Sequence, residues 1–186
     1  GINYYNEEHL YPYRIIPAGG KDLQFLKTTP FGTDMLEDVF KEVRPNIVVA
    51  NNDLWVLNKY SRILQPYIQA GVTKFFGYVP IDGGPYHRSL VQEMYSWTGV
   101  ATYTQFGKKT LQNAGVVHNV AVVPHGTNTK DFFPMDRSDA RRELGLRDDV
   151  FLVFNGNRNQ PRKRYDLMVK GFAKFLKGKK KDTIGL

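Results

Sequence analysis

Four basic side chains lie in one short loop near the carboxyl end of this 186-residue chain. The loop "NGNRNQPRKR" follows the apolar run "VFLVF" and precedes an amphipathic repeat, and its bases are Arg158, Arg162, Lys163 and Arg164. A guanidinium binds phosphate oxygens through parallel hydrogen bonds, and a lysine supplies a point charge. Because α/β sheets bind ligands beyond the carboxyl ends of their strands, this pattern is typical of a phosphate-binding loop. A nucleic-acid patch and a solvated surface are the alternatives, and for Arg162 and Arg164 we favour the solvated surface.

The net charge of +8 belongs to this part of the chain. Residues 1–157 contain 16 Lys/Arg and 16 Asp/Glu, whereas residues 158–181 contain ten basic residues and the single acid Asp166. A nucleic-acid-binding face draws its basic residues from several elements of a fold. The distribution therefore disfavours general nucleic-acid binding and favours a function local to the tail. We interpret "KGKKK" (177–181) as a solvated turn, with contact to an anionic membrane as the alternative.

Polar residues also follow apolar runs in the first part of the chain. Asp82 in "PIDGG" comes after such a run, and the glycine at Gly83 would let backbone amides approach a ligand. A carboxylate there can hydrogen-bond a ligand hydroxyl or accept its proton, and the alternative is a turn aspartate that caps the next helix. Asn52 and Asp53 follow the apolar run "NIVVA". They could form the edge of a pocket or an Asx turn, and we favour the Asx turn.

Thr104 and His125 end two further predicted strands, where their side chains would point into a cleft. For His125 a structural role at the end of its strand is the alternative. The four histidines, at 9, 87, 118 and 125, show no metal-ligand spacing. The chain has no cysteine, which excludes a disulfide scaffold and a cysteine-based zinc site. No stretch approaches the roughly 20 apolar residues of a membrane span. We expect a cytoplasmic protein and leave peripheral membrane contact open.

Short apolar runs alternate with helical patterns along the chain, which predicts an α/β fold with a largely parallel sheet. Strands are predicted at "YRIIPAGG", "NIVVA", "GVATYT", "VAVVPHG" and "VFLVF". "KFFGYVPIDGG" is predicted to be a strand that runs into a loop, and a last strand begins at "DTIGL". Helices are predicted at "GTDMLEDVFKEV" with Thr33 or Asp34 as its cap, from about Trp55, and at "HRSLVQEMYSW", "QFGKKTLQNAG" and "SDARRELG". A last helix begins at Tyr165, with a core face of Tyr165, Met168, Val169, Phe172 and Leu176.

Motifs between residues 120 and 176 occur in a definite order. A strand is followed by "PHG" and "FFP", then by a strand whose loop holds an arginine, a lysine five residues later and an Asp-Leu pair. This order resembles the domain crossing of retaining glycosyltransferases with two Rossmann-like domains, the GT-B architecture of the family 4-like (group 1) enzymes. The corresponding residues here are His125, Gly126, Phe133, Pro134, Arg158, Lys163, Asp166 and Leu167. "VATYTQFGKKTLQNAG" resembles the last strand and helix of that family's first domain, and "GYVPIDG" lies where that domain carries an active-site loop.

The resemblance implies transfer of a hexose from a nucleoside-diphosphate sugar, with retention of anomeric configuration. The acceptor would be a glycan, a lipid or a small molecule, with no obligatory metal or other cofactor and no nucleic acid as partner. Donor-diphosphate binding is then predicted for Gly156, Asn157, Arg158 and Lys163. A catalytic role is predicted for Asp82, and positions in the acceptor cleft for Asn52, Gly83, Thr104 and His125.

The resemblance also implies a domain organisation. Residues 1–126 would be a partial acceptor-side domain, residues 127–136 the crossing, and residues 137–186 the start of a nucleotide-sugar-binding domain. We interpret the chain as a fragment lacking both ends and expect it to be inactive, since the family's paired-glutamate motif would lie beyond Leu186. The chain departs from the family's pattern at three places: Thr127-Asn128 replaces "V-D", Asn157 replaces a glycine, and Arg164 replaces the glycine after the lysine. Because Arg164 is bulky, the resemblance does not predict the backbone path at that turn.

Two other functions remain as alternatives. One is a non-enzymatic α/β binding module whose basic tail docks on RNA or on an anionic membrane. The other is a sugar-nucleotide epimerase, a group with a similar two-domain fold.

Overall fold

The computed structural model describes residues 4, 7–18, 31–179 and 184–185, the last pair by backbone alone. The chain forms two compact units, Gly1–Gly126 and Thr127–Leu186. The assignment of these units to acceptor and nucleotide-sugar binding stays a prediction.

The first unit is built on a four-stranded parallel sheet. Its strands lie in the order β1 (Ile47–Asn51), β2 (Lys74–Val79), β3 (Gly99–Thr102) and β4 (Val120–Val122). The helix α1 (Leu36–Val43) precedes the sheet, and α2 (Leu54–Gln69) connects β1 to β2. A short α3 (Arg88–Val91) and a 3-10 helix (Gln92–Ser96) connect β2 to β3, and α4 (Gln105–Asn113) connects β3 to β4. The predicted α/β class, with Rossmann-like parallel strands and flanking helices, is therefore confirmed.

One face of this sheet carries the core. Parallel neighbours are joined by right-handed crossovers, so three consecutive connections pass over the same face. Burial alternates along the strands accordingly: Phe75 and Val79 are fully buried, whereas Ile47 and Val49 on the other face are 57% and 71% exposed. The core cluster combines the inward strand residues with side chains from the helices, among them Leu57, Leu64, Val91, Met94, Trp97 and Leu111.

The predicted strand "YRIIPAGG" is wrong over residues 13–18, which have no strand conformation; Gly19 and Gly20 lie outside the described residues. Within the described part of the first unit, β1 pairs with β2 alone. Pro17 has no N–H to donate to a ladder, and Ile15 and Ile16 instead line a cavity of about 510 Å³ together with residues of α1 and β1.

The first helix begins later than expected, with Met35 rather than Thr33 or Asp34 at its N-cap. The two candidate caps instead bond each other: the Thr33 hydroxyl donates to Asp34 Oδ1 at 3.1 Å. Met35 makes no side-chain cap hydrogen bond to the first turn of α1.

The stretch "HRSLVQEMYSW" was expected to be one helix, but it changes to a 3-10 helix after one turn. Its buried residues are Val91, Met94 and Trp97, spaced three apart. A 3-10 helix has three residues per turn, so this spacing keeps all three side chains on the core side.

The second unit contains α5 (Arg137–Glu143), β5 (Phe151–Leu152), a 3-10 helix (Pro161–Lys163) and α6 (Tyr165–Phe175). β5 pairs in parallel with β6 (Ile184–Gly185), so "VFLVF" forms a shorter strand than predicted. None of the residues from 127 to 179 is buried. The predicted core face of α6 is accordingly half-buried at best, and Val169 is 52% exposed.

Candidate functional site

The basic loop of the second unit is held by its asparagines and a tyrosine. Asn155 Oδ1 accepts hydrogen bonds from the backbone N–H of Asn157 at 3.0 Å and from its Nδ2 at 2.7 Å. The Tyr165 hydroxyl, at the start of α6, donates to the carbonyl of Asn157. The Asn157 side chain is thus committed to the loop itself, which fixes the backbone immediately before Arg158. At Gly156 an added Cβ would lie 3.0 Å from the ring of Phe154.

Arg158 and Lys163 both stay available for a ligand. Arg158 is exposed and Lys163 is half-buried. In the described part of the chain neither side chain makes a hydrogen bond or an ion pair, and the same holds for the exposed Arg162. The backbone of Lys163 is fixed by its N–H, which donates to the Gln160 carbonyl at 2.9 Å. Unpaired cations on a fixed backbone are suited to bind an anion.

Arg164 is exposed, as expected of a solvated base, and it also pairs with a carboxylate. Its guanidinium donates two hydrogen bonds to the Asp166 carboxylate, at 2.9 and 2.8 Å, and this pairing lowers the pKa of Asp166. The side chains are 57% and 49% exposed, so the ion pair contributes little to stability. Arg164 also adopts the left-handed backbone conformation, with φ 50° and ψ 51°. This is the conformation that glycine adopts without strain, at the position where the resembled family has glycine.

Asp82 lies in the loop after β2 and is exposed. The helix that follows is capped by His87, whose Nδ1 accepts from the Ser89 N–H at 3.3 Å, so Asp82 is not its cap. In the described residues its carboxylate has no hydrogen bond or ion pair. Burial raises the pKa of Tyr86, and the charges of Asp82 and Asp53 raise it further, so both carboxylates act on this tyrosine. A Cβ on Gly83 would contact nothing within 4 Å, which leaves its backbone open to a ligand.

Two other predicted cleft residues serve local structure. Thr104 is the N-cap of α4, where its hydroxyl oxygen accepts from the Gly107 N–H at 3.0 Å. Asn52 Oδ1 accepts from the Asp53 N–H at 2.9 Å just before α2. These hydrogen bonds explain both residue types without a ligand, and any role in a cleft stays a prediction.

The structure adds an aromatic cluster that the sequence analysis missed. Tyr78 near the end of β2, Tyr103 just after β3 and His125 after β4 have ring centroids 3.9 to 5.7 Å apart. The Tyr103 hydroxyl donates to Asn51 Oδ1 at 2.9 Å, and the Tyr78 hydroxyl donates to the Val123 carbonyl at 2.5 Å. The period of two along β2 and β3 could have shown that Tyr78 and Tyr103 share the outward face of the sheet.

Among the described residues, no three acidic or histidine side chains form a group that could hold a metal ion. In the same part of the chain, no helix has the length and apolar character of a membrane span.

The fold and the loop define an α/β protein in which the unpaired side chains of Arg158 and Lys163 lie between a strand and a helix. No family model matches the chain. Over 57 residues it is 42% identical to the D-inositol 3-phosphate glycosyltransferase of Actinosynnema mirum. The match covers 31% of this chain and 14% of that enzyme, so the chain matches only a small part of its relative's length. This similarity supports a relationship with glycosyltransferases in general.

Proposed function

We propose that the chain is part of a retaining glycosyltransferase of the GT-B type, which moves a hexose from a nucleoside-diphosphate sugar to an acceptor. The acceptor would be a glycan, a lipid or a small molecule. The observation that carries the proposal is the fixed loop with Arg158 and Lys163 unpaired, taken with the glycosyltransferase similarity. In this proposal residues 1–126 serve the acceptor, and residues 137–186 begin the donor-binding domain.

The loop's chemistry fits the leaving group of such a reaction. When the bond between the anomeric carbon and the diphosphate oxygen breaks, negative charge develops on the diphosphate. The guanidinium of Arg158 can pair with two of its oxygens, and the ammonium of Lys163 adds a point charge. In this proposal these cations stabilise the charge without an obligatory metal. Gly156 and Asn157 shape the loop around the diphosphate.

The acceptor hydroxyl must lose its proton during transfer. Asp82 is the carboxylate we assign to this step, because it is exposed, has no partner among the described residues and does not cap the next helix. His125, Asn52, Thr104 and Gly83 would lie along the acceptor side, with Asn52 and Thr104 supporting the backbone.

Calorimetric titration of the 186-residue chain with nucleoside diphosphates (UDP, GDP and ADP) tests the donor assignment. Two charged contacts, from the exposed Arg158 and the half-buried Lys163, predict saturable binding with a Kd of about 1 mM. The absence of nucleoside-diphosphate binding, together with RNA binding that weakens steeply with salt, would instead support the non-enzymatic binding module.

A further inference from the structure

Asn155 is the one asparagine in the sequence that is followed directly by a glycine, and it lies at the start of the basic loop. The side-chain amide of an asparagine can be attacked by the backbone nitrogen of the next residue, because the ring that closes has five members. The two reacting groups belong to adjacent residues, so their encounter costs little entropy. A glycine in the second position has no Cβ to hinder the attack.

The hydrogen bonds of Asn155 polarise its side-chain carbonyl. Its Oδ1 accepts from the Asn157 backbone N–H at 3.0 Å and from Asn157 Nδ2 at 2.7 Å. Two donors on one carbonyl oxygen make its carbon more electrophilic and stabilise the negative charge that the oxygen acquires when a nucleophile adds. Asn155 Nδ2 donates to the Met168 sulfur at 2.9 Å, so both ends of the amide are held.

The backbone nitrogen of Gly156 is the nucleophile next to this carbonyl. Gly156 is exposed, and its N–H makes no hydrogen bond in the part of the chain that the structure describes. Solvent can therefore reach this N–H and remove its proton. The N–H of Asn157, by contrast, is occupied by Asn155 Oδ1. The loop thus brings a polarised amide and an accessible nitrogen together in consecutive residues.

We propose that Asn155 is a self-modification site, at which the loop converts its own asparagine into a carboxylate. The Gly156 nitrogen gives its proton to solvent and forms a bond to the side-chain carbonyl carbon of Asn155. The bond from that carbon to Nδ2 then breaks, and Nδ2 takes up a proton and leaves as ammonia. Water opens the resulting cyclic imide at either carbonyl and gives aspartate or isoaspartate. In sum, an amide and a water become a carboxylate and an ammonium ion, and nothing is oxidised or reduced.

The product changes the charge of the loop that holds Arg158 and Lys163. A carboxylate at position 155 repels an anion bound by these two side chains. The isoaspartate product also lengthens the backbone just before Arg158. Conversion therefore lowers the affinity of the loop for a diphosphate in a step that the chain does not reverse. This consequence rests on the proposed function, whereas the conversion itself rests on the chemistry of the loop.

Peptide mapping of the 186-residue chain after incubation in mildly alkaline buffer tests the conversion. The tryptic fragment "DDVFLVFNGNR" (148–158) contains both Asn155 and Asn157. Asn157 precedes an arginine, so it is the control within the same fragment. We expect aspartate and isoaspartate to appear at position 155 while Asn157 stays intact. No conversion at Asn155, or equal conversion at Asn157, overturns the proposal.

Two variants separate the contributions of the nucleophile and of the hydrogen bonds. Gly156→Ala adds a methyl group beside the nucleophile, where it meets the exposed ring of Phe154, and should slow conversion about tenfold. Asn157→Ala removes one of the two donors to Asn155 Oδ1 and should slow conversion about threefold. An equal rate in Gly156→Ala and the parent overturns the proposal. An unchanged or faster rate in Asn157→Ala overturns the role of the hydrogen bonds.

Asn155→Asp has the charge of the product from the start, and it keeps an oxygen that can accept from Asn157. Calorimetry should show that this variant binds inorganic pyrophosphate about fivefold more weakly than the parent. Equal binding overturns the effect on the anion site and leaves the modification. If the parent itself binds no pyrophosphate, the proposed donor role and the effect on it fail together, and the peptide map alone decides whether Asn155 is converted.

Discussion

The indole ring of Trp97 occupies the space that a side chain at position 77 would need. A Cβ on Gly77 would lie 2.1 Å from one carbon of the Trp97 ring and 2.5 Å from the next. The indole is buried, with its Nε1 donating to Ser61 Oγ at 2.7 Å and its ring meeting Phe75 edge to face at 5.2 Å. The glycine in "FFGYV" thus lets a central strand accept the largest side chain of the core.

Gly77→Ala should therefore destabilise the first unit. The overlap is with a ring fixed on several sides, so we expect a loss of about 3 kcal/mol in the free energy of unfolding. Urea unfolding followed by circular dichroism measures it. Gly126→Ala is the control, because a Cβ there contacts nothing within 4 Å. Equal stability of Gly77→Ala and the parent would show that Trp97 does not pack as described.

Thr104→Ala tests the N-cap of α4. Loss of the N-cap hydrogen bond to Gly107 should lower the free energy of unfolding by about 1 kcal/mol, and Thr104→Ser should restore most of it. Chemical denaturation is the measurement. Unchanged stability in Thr104→Ala would contradict the N-cap assignment.

Arg164→Gly should stabilise the loop. A non-glycine residue in the left-handed conformation costs about 1 kcal/mol, more than the exposed ion pair with Asp166 contributes. We expect stronger hydrogen-exchange protection of the amides in α6 in this variant. Asp166→Asn breaks the ion pair without relieving the backbone and should not increase protection. Weaker protection in Arg164→Gly would mean that the ion pair matters more than the strain.

Tyr103 should affect stability at alkaline pH. Its pKa is raised above the ordinary value of 10.0, mainly by burial, so the folded chain keeps the proton where the unfolded chain has lost it. The free energy of unfolding should then fall as pH rises from 10.0 through the raised value. Tyr103→Phe should make this fall shallower in unfolding curves collected across that range. An unchanged pH dependence in Tyr103→Phe would contradict the assigned burial.

The strands and helices of the first unit were predictable because their burial follows the sequence period. "NIVVA" and "KFFGYV" are apolar runs between turn residues, and they became neighbouring strands. "YRIIPAGG" has a similar composition, but it has no strand partner among the described residues. A strand needs a partner, and the residues of one segment do not show whether a partner is present. The 3-10 helix after Val91 was not predicted, because the three-residue spacing of Val91, Met94 and Trp97 is close to the 3.6-residue period of an α-helix.

The sequence predicted those features of the candidate site that follow from residue type alone. It did not predict which side chains would pair with one another. Arg158 and Lys163 were singled out as bases after a strand, but only the structure shows that Arg164 is paired with Asp166 while these two are not. Asp82 resembled a helix cap in sequence, and His87 takes that position. The contact between Tyr103 and His125 joins residues that follow two neighbouring strands, so predicting it required the register of the sheet.

The affinity of the chain for inorganic pyrophosphate, compared among three loop variants, tests the donor-diphosphate assignment most directly. Calorimetry should show binding about tenfold weaker in Arg158→Ala and in Lys163→Ala. Arg162→Ala removes an exposed guanidinium from the same loop and should stay within about twofold of the parent. An equal loss in all three variants, or none in any, would contradict the assignment of Arg158 and Lys163 to the donor diphosphate.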